Sequence, residues 1–259
     1  MKRHIWLGRA LVALFTLGVW ETSSRLRWVD PFFFSRPTDI AARIMELASS
    51  GAIWPHLGAT VAEALLSFVL GSLLGVTLGF LLARSTYWSK VLEPFVHVAN
   101  ALPRVVLAPL FLLWFGLGIG SKVALGVTVV FFLVFYNTYQ GVRDVPQRLI
   151  DNVRLLGAGE RQLVRHVLLP SALAWIFSSL HISAGMAIIA AVVGELLGSS
   201  RGVGYLIAQA ESVFDTTGVF AGMAYLAGVV LIIASLVGRA ERRLLRWKSG
   251  ITSGADSLI

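Results

Sequence analysis

An all-α polytopic membrane protein with six transmembrane helices is the fold class this sequence predicts, and three observations predict it. Of 259 residues, 56% are hydrophobic and only 14% charged, and mean hydropathy is +0.77, more apolar side chain than a soluble domain buries. Charge-free apolar intervals recur along the chain at about the 20-residue length a helix needs to cross hydrocarbon. Lysine and arginine gather at the ends of those intervals instead of forming one polar face.

The elements follow in order as one transmembrane domain, 1–259, without internal repeats. The first helix covers about 5–22, with Arg9 near enough to its end to snorkel. Reading it as a secretory signal is the weaker alternative, because no small-x-small cleavage site follows and the next residues are Glu21 to Arg25. The second, about 60–83, carries Ser67, Gly71, Gly75, Gly79 and Ala83 at every fourth position, a flat stripe on which another backbone can lie. The third, about 95–116, is long enough only if it starts near Phe95 and accommodates Pro103 and Arg104. The fourth covers about 122–142. Residues 143–170 then form a loop too long for a simple connection. In it Leu149, Ile150, Val153 and Leu156, then Leu163, Val164 and Val167, recur at helical spacing around Gly157-Ala158-Gly159, which predicts helix, turn, helix. Pro170 suits the first turn of the fifth helix, about 171–194, and the sixth covers about 216–238. The tail after Lys248 reads as a disordered end.

An even number of spans puts both termini on one side. That side holds 15 lysines and arginines and the other holds 6, so the termini and the long loop are expected in the cytoplasm.

The same residues exclude several function classes. A net charge of +8 placed at span ends is explained by lipid and topology, and no nucleic acid is expected. Without cysteine there is no thiolate site, and His4, His56, His97, His166 and His181 lack ligand spacing, so neither metal nor cofactor is expected. A phosphate-binding loop needs Gly-Lys, yet Lys2, Lys90, Lys122 and Lys248 follow Met1, Ser89, Ser121 and Trp247. Gly116, Gly118 and Gly120 read as a turn between helices. A membrane enzyme would need an acid–base pair at one interface, and the charges in or beside the spans are Arg104, Glu63 and Glu195. A channel or secondary transporter is the remaining alternative, though it would not need the long amphipathic loop.

Asp151-Asn152-Val153, three residues, Gly157, nine residues and Val167-Leu168-Leu169-Pro170 match in spacing the mark of the inner-membrane permeases of ABC importers, Glu-Ala-Ala, three residues, Gly, nine residues, Ile-x-Leu-Pro. The first triplet keeps only the acid. The stretch from Ala101-Leu102-Pro103-Arg104 to Phe115-Gly116-Leu117-Gly118 is similar to the third span of the nitrate, sulfonate and taurine branch, as are Gly194-Glu195-Leu196-Leu197 and Gly202-Val203-Gly204-Tyr205. The resemblance implies a type I importer permease fold in the bacterial inner membrane. It implies a passage for a small anionic solute, with ATP hydrolysed on a separate subunit and no enzyme activity here. It also implies a dimer of ATP-binding subunits, a periplasmic or lipid-anchored solute-binding protein and a second permease copy, either identical or related.

The loop would be the coupling helix that docks the ATPase, through Asp151, Arg154, Gly157, Glu160, Arg161 and Pro170. A loop lying on the anionic membrane surface is the other reading. Arg104, inside a span, is expected to meet an anion in the passage with Asn100 one turn away and Asn137 opposite, Glu195 being the further polar candidate. Alternatively Arg104 snorkels or pairs with Glu93.

Overall fold

The computed structural model describes residues 2–244, and the tail expected to be disordered lies outside them. The chain runs α1 (Lys2–Arg25), α2 (Pro31–Phe34), α3 (Pro37–Ser49), α4 (Ile53–Arg84), α5 (Thr86–Ala101), a 3-10 turn (Arg104–Leu107), α6 (Ala108–Phe115) and α7 (Ile119–Arg143). Then come α8 (Gln147–Leu155), α9 (Glu160–Leu163), a π turn (Val164–Leu168), α10 (Leu169–Leu197), α11 (Val203–Ser212) and α12 (Thr216–Leu244). Among the described residues five helices are long and apolar enough to cross a membrane, and there are six if the bent pair of α5 with 104–115 is counted as one broken span.

The bundle is organised around α4 and α7. Ser67, Gly71, Gly75, Gly79 and Ala83 are all buried, while Leu66, Leu70, Leu73 and Leu74 on the other side of α4 are exposed, as lipid-facing side chains should be. A Cβ added at Gly75 would stand 2.9 Å from the Phe131 carbonyl, and one at Gly79 would come 3.1 Å from Thr138 Cβ, so the two backbones touch through missing side chains. Helix α10 closes the group from the other side, with Trp175 lying on Gly141 of α7. Ala64, Val130, Val134, Ala187, Ile188 and Ala191 fill the space among the three.

Helix α1 is attached at one end only. Its apolar side chains from Ile5 to Val19 are exposed, whereas Glu21 accepts from the Thr38 amide at 3.1 Å and Ser24 donates to the Ser35 carbonyl at 2.9 Å. Ser35 in turn pairs with Thr217 at 2.8 Å, and Tyr225 donates to the Ile44 carbonyl at 2.6 Å, which fastens α2 and α3 to α12.

Two elements depart from the hydropathy reading. Instead of one helix from Phe95, α5 begins at Thr86, where Ser85 accepts from the Trp88 amide, and it breaks after Ala101. The cause is Pro103, which holds Leu102 extended at φ −65° and ψ 128°, and the halves meet at 84°. The fifth span does not start anew near Ser171. Residues Glu160–Leu197 form one run of 38 residues in which the π turn precedes Pro170, so the amide that proline lacks falls where the helical bonding pattern already changes.

The close α4–α7 contact is testable by adding volume. Gly75→Leu should lower unfolding stability in mixed micelles by about 2–3 kcal/mol, since the obstacle is backbone. Gly58→Ala on the same helix, where a Cβ meets open space, should leave it unchanged or raise it by about 1 kcal/mol. Equal responses at the two positions would refute the packing account.

Candidate functional site

Three regions carry the polar side chains, and the first is the loop. Helix α8 ends at Leu155, and two residues on, Gly157, whose φ of +85° is the left-handed region open to glycine, reverses the chain into α9. Leu163, Val167 and Leu168 pack with Val142, Val145, Ala83 and Ile176, so the loop is rooted in the core beneath α4, α7 and α10. Glu160 bridges outward, accepting from Arg154 at 2.7 Å and lying 3.7 Å from Arg84 at the end of α4. Asp151 accepts from Gln147 at 2.9 Å, Arg161 is exposed, and Pro170 is half-buried in the first turn of α10. Contrary to the periodicity reading, Leu156 does not face the core: Leu155 and Leu156 are 85% and 87% exposed at the tip.

The second region is the break between α5 and the 3-10 turn. A helix end leaves carbonyls without partners, and here Arg104 supplies them. Its guanidinium donates to the Asn100 carbonyl at 2.6 Å, to Asn100 Oδ1 at 2.5 Å and to the Leu102 carbonyl, and lies over the Phe132 ring of α7 at 4.6 Å. Arg104 and Asn100 are therefore brought together. Glu93 lies 3.9 Å from His97. Asn137 is half-buried on α7 and donates at 2.8 Å to the Leu133 carbonyl of its own helix.

The third region gathers Glu195 with residues that sequence reasoning left apart. At the end of the bundle away from the loop, Glu195 is 1% exposed, accepting from Thr60 at 2.6 Å and from the Gly204 amide at 2.6 Å. Thr60 also accepts from the Val203 amide at 2.9 Å, and the Gly202 amide donates to His56 Nδ1 at 3.2 Å. These bonds hold the start of α11 against α4 and α10. Gly202, at φ +120°, lies against the Glu195 carboxyl, and a Cβ at Gly204 would stand 2.8 Å from the Val192 carbonyl, so glycine is required for so close an approach. Glu63 is buried within hydrogen-bonding reach of Glu195.

Lys122, the first residue of the fourth span as read from the sequence, is buried beside both acids and donates to the Leu117 and Gly118 carbonyls at 2.5 and 3.2 Å. A signal for this cluster existed. Glu63 and Lys122 bound their apolar intervals on the N-terminal side and Glu195 bounds its own on the C-terminal side, so alternating helix directions bring the three charges to one end of the bundle.

The described residues thus form a multi-pass helical bundle without strands, with a core-rooted loop on one side and a pinned short helix on the other, the architecture of a polytopic membrane protein. The chain belongs to the family described as binding-protein-dependent transport system inner membrane component, which its residues 71–246 match. It is 35% identical over 248 residues to a putative aliphatic sulfonates transport permease of Bacillus subtilis, covering 96% of this chain and 90% of that one. It is 34% identical over 251 residues to the riboflavin transport system permease of Chloroflexus aurantiacus, covering 96% and 94%. The taurine transport system permease of Escherichia coli is 28% identical over 252 residues, covering 95% and 91%. In fold the chain is similar to an amino acid ABC transporter (TM-score 0.63, 18% identity, 77% of this chain and 97% of that one). A similar likeness holds to the MetNI methionine transporter (TM-score 0.59, 21% identity, 74% and 93%).

Thr60 holds both Glu195 and the Val203 amide, so Thr60→Val should strand two buried groups and cost about 2–3 kcal/mol. Amide exchange at Val203 and Gly204 should quicken, read by hydrogen–deuterium exchange, while Thr60→Ser restores protection. Unchanged exchange in Thr60→Val would show that α11 is held by other contacts.

Proposed function

We propose that this chain is the permease of an importer for a small anionic solute, that two copies pair around the passage, and that each loop docks an ATP-binding subunit which performs the hydrolysis. Both termini and the loop lie in the cytoplasm on this reading, in keeping with 15 lysines and arginines on that side against 6 on the other. A solute-binding protein delivers cargo to the opposite face. Relatives named for sulfonate and taurine transport favour an anionic cargo, and a relative named for riboflavin shows that the family is not confined to one solute class.

The observation that carries the docking reading is the tip of the loop. Leu155 and Leu156 stand almost fully exposed beside Gly157, next to Arg154 and across the turn from Glu160 and Arg161, an apolar knob ringed by charge. Such a centre-and-rim arrangement suits a protein partner. Asp151 and Pro170 support it at a distance, one on α8 and the other where the loop enters α10. Coexpressed with its ATPase, the wild-type chain should leave detergent as a complex whose mass contains two copies of each subunit. Arg154→Glu with Arg161→Glu should insert normally yet lose the ATPase. Retention of ATPase and transport by the double variant would sink docking through this loop, and a single permease copy per complex would end the homodimer.

Arg104 is the anion-facing group on this reading. Three of its contacts cap the broken helix, and of its five N–H donors the remainder stay available to a solute beside Asn100, with Asn137 further along the neighbouring helix and Glu195 fastening the far end. Arg104→Gln keeps a donor and removes the charge. Uptake of an anion by proteoliposomes should fall about tenfold, as for loss of a hydrogen bond to a charged group, with assembly and basal ATPase activity retained. Unchanged uptake would leave Arg104 as a helix cap alone.

A further inference from the structure

Between the loop and the bundle lies an open cavity of about 580 Å³, inside the ~300–1,000 Å³ range of small-ligand sites. Leu81 and Arg84 of α4, Thr86 of α5, Arg143 of α7 and Arg154 and Glu160 of the loop line it. Three arginines meet one carboxylate there. Glu160 is shared between Arg154 and Arg84, and Arg143 spends its guanidinium on the neutral oxygens of Ser89 and Tyr139 at 3.2 and 3.1 Å. The lining residues therefore carry two positive charges without counter-charge, in a recess where a field concentrates. The first turn of α5, a helix of 16 residues, adds the positive end of its dipole.

The rim indicates where a ligand would come from. Leu81 is exposed and apolar on the flank of α4, and Tyr87 and Trp88 follow Thr86 as exposed rings, the side chains enriched where membrane meets water. An anion seated among the arginines would thus have acyl-chain surroundings beside it and water beneath it.

We propose that this cavity binds an anionic phosphate group, and that its source is the headgroup of an anionic phospholipid in the leaflet on the loop's side. The lipid would then join the end of α4, the start of α5 and the loop, whatever solute the passage carries. Free phosphate shares the chemistry but leaves the apolar and aromatic rim without a role.

The test uses the purified full chain in neutral detergent, with equal amounts of phosphatidylglycerol and phosphatidylcholine, read by native mass spectrometry. Wild type should retain phosphatidylglycerol in preference. At about 1 kcal/mol per arginine near a headgroup, Arg84→Gln should lower retention about fivefold and Arg84→Gln with Arg143→Gln about 25-fold. Arg84→Lys, which keeps the charge, should stay within about twofold of wild type on the same scale. Because Arg143 also holds Ser89 and Tyr139, the exposed Arg84 is the decisive position. Displacement of the lipid by millimolar inorganic phosphate would uphold the phosphate site and overturn the lipid as its source, whereas persistence of the lipid would uphold both. Equal retention of the two lipids by wild type, or full retention by a folded Arg84→Gln chain, would overturn the proposal.

Discussion

Hydrocarbon offers a helix pair no hydrophobic reward for associating, because lipid tails are as apolar as leucine, so close packing has to hold the bundle together. Here that requirement falls on the line where α4 meets α7. Gly71, Gly75 and Gly79 bring the first backbone onto Val130, Val134 and Phe135 of the second, and Ser67 fills the place opposite Gly126. Helix α10 joins the same seam through small residues of its own, Ala184, Ala187 and Ala191. The remaining elements hang from these three helices. The loop is rooted beneath them, α11 is pinned across their other end, and α3 reaches them through α12.

A second constraint acts at each interruption of a helix, since an exposed carbonyl or amide in the membrane costs several kcal/mol. Arg104 covers carbonyls at the break before Pro103, Lys122 those of the turn before α7, and Glu195 the Gly204 amide in the first turn of α11. In each case a charged side chain serves the backbone, and the charge is part of the fold before it is available to anything else.

These two constraints also explain which features the sequence displayed. The glycine stripe was legible because a four-residue period of small side chains has few uses besides backbone contact, and the loop because hydrophobic period and glycine turn agree in it. Where partners lie far apart in sequence, hydropathy is blind. It set Lys122 at the edge of the fourth span because it scores a residue by its neighbours in the chain, whereas the buried Lys122 has Glu63 and Glu195 of other helices as its charged neighbours. It began the third span too late, since Lys90 and Glu93 interrupt the apolar run though α5 passes straight through them. Leu156 kept the period of the buried positions, but α8 ends one residue before it and the chain turns away. Neither the guanidinium cap at Asn100 nor the direction of Asn137 has any counterpart in spacing, because both depend on side-chain torsions.

The unbroken run from Glu160 to Leu197 joins the two ends of the molecule in a particular mechanical way. Thirty-eight residues at a rise of 1.5 Å make a rod of about 57 Å, with the loop's ion pairs at one end and Glu195 near the other. A rod of that length that tilts by about 10° about one end sweeps its far end through roughly 10 Å, so a small rotation imposed at the loop would be delivered, enlarged, to the carboxylate that pins α11. On the proposed coupling the helix would serve as a lever whose long arm ends in a latch, its stroke limited by how far the seam with α4 and α7 yields.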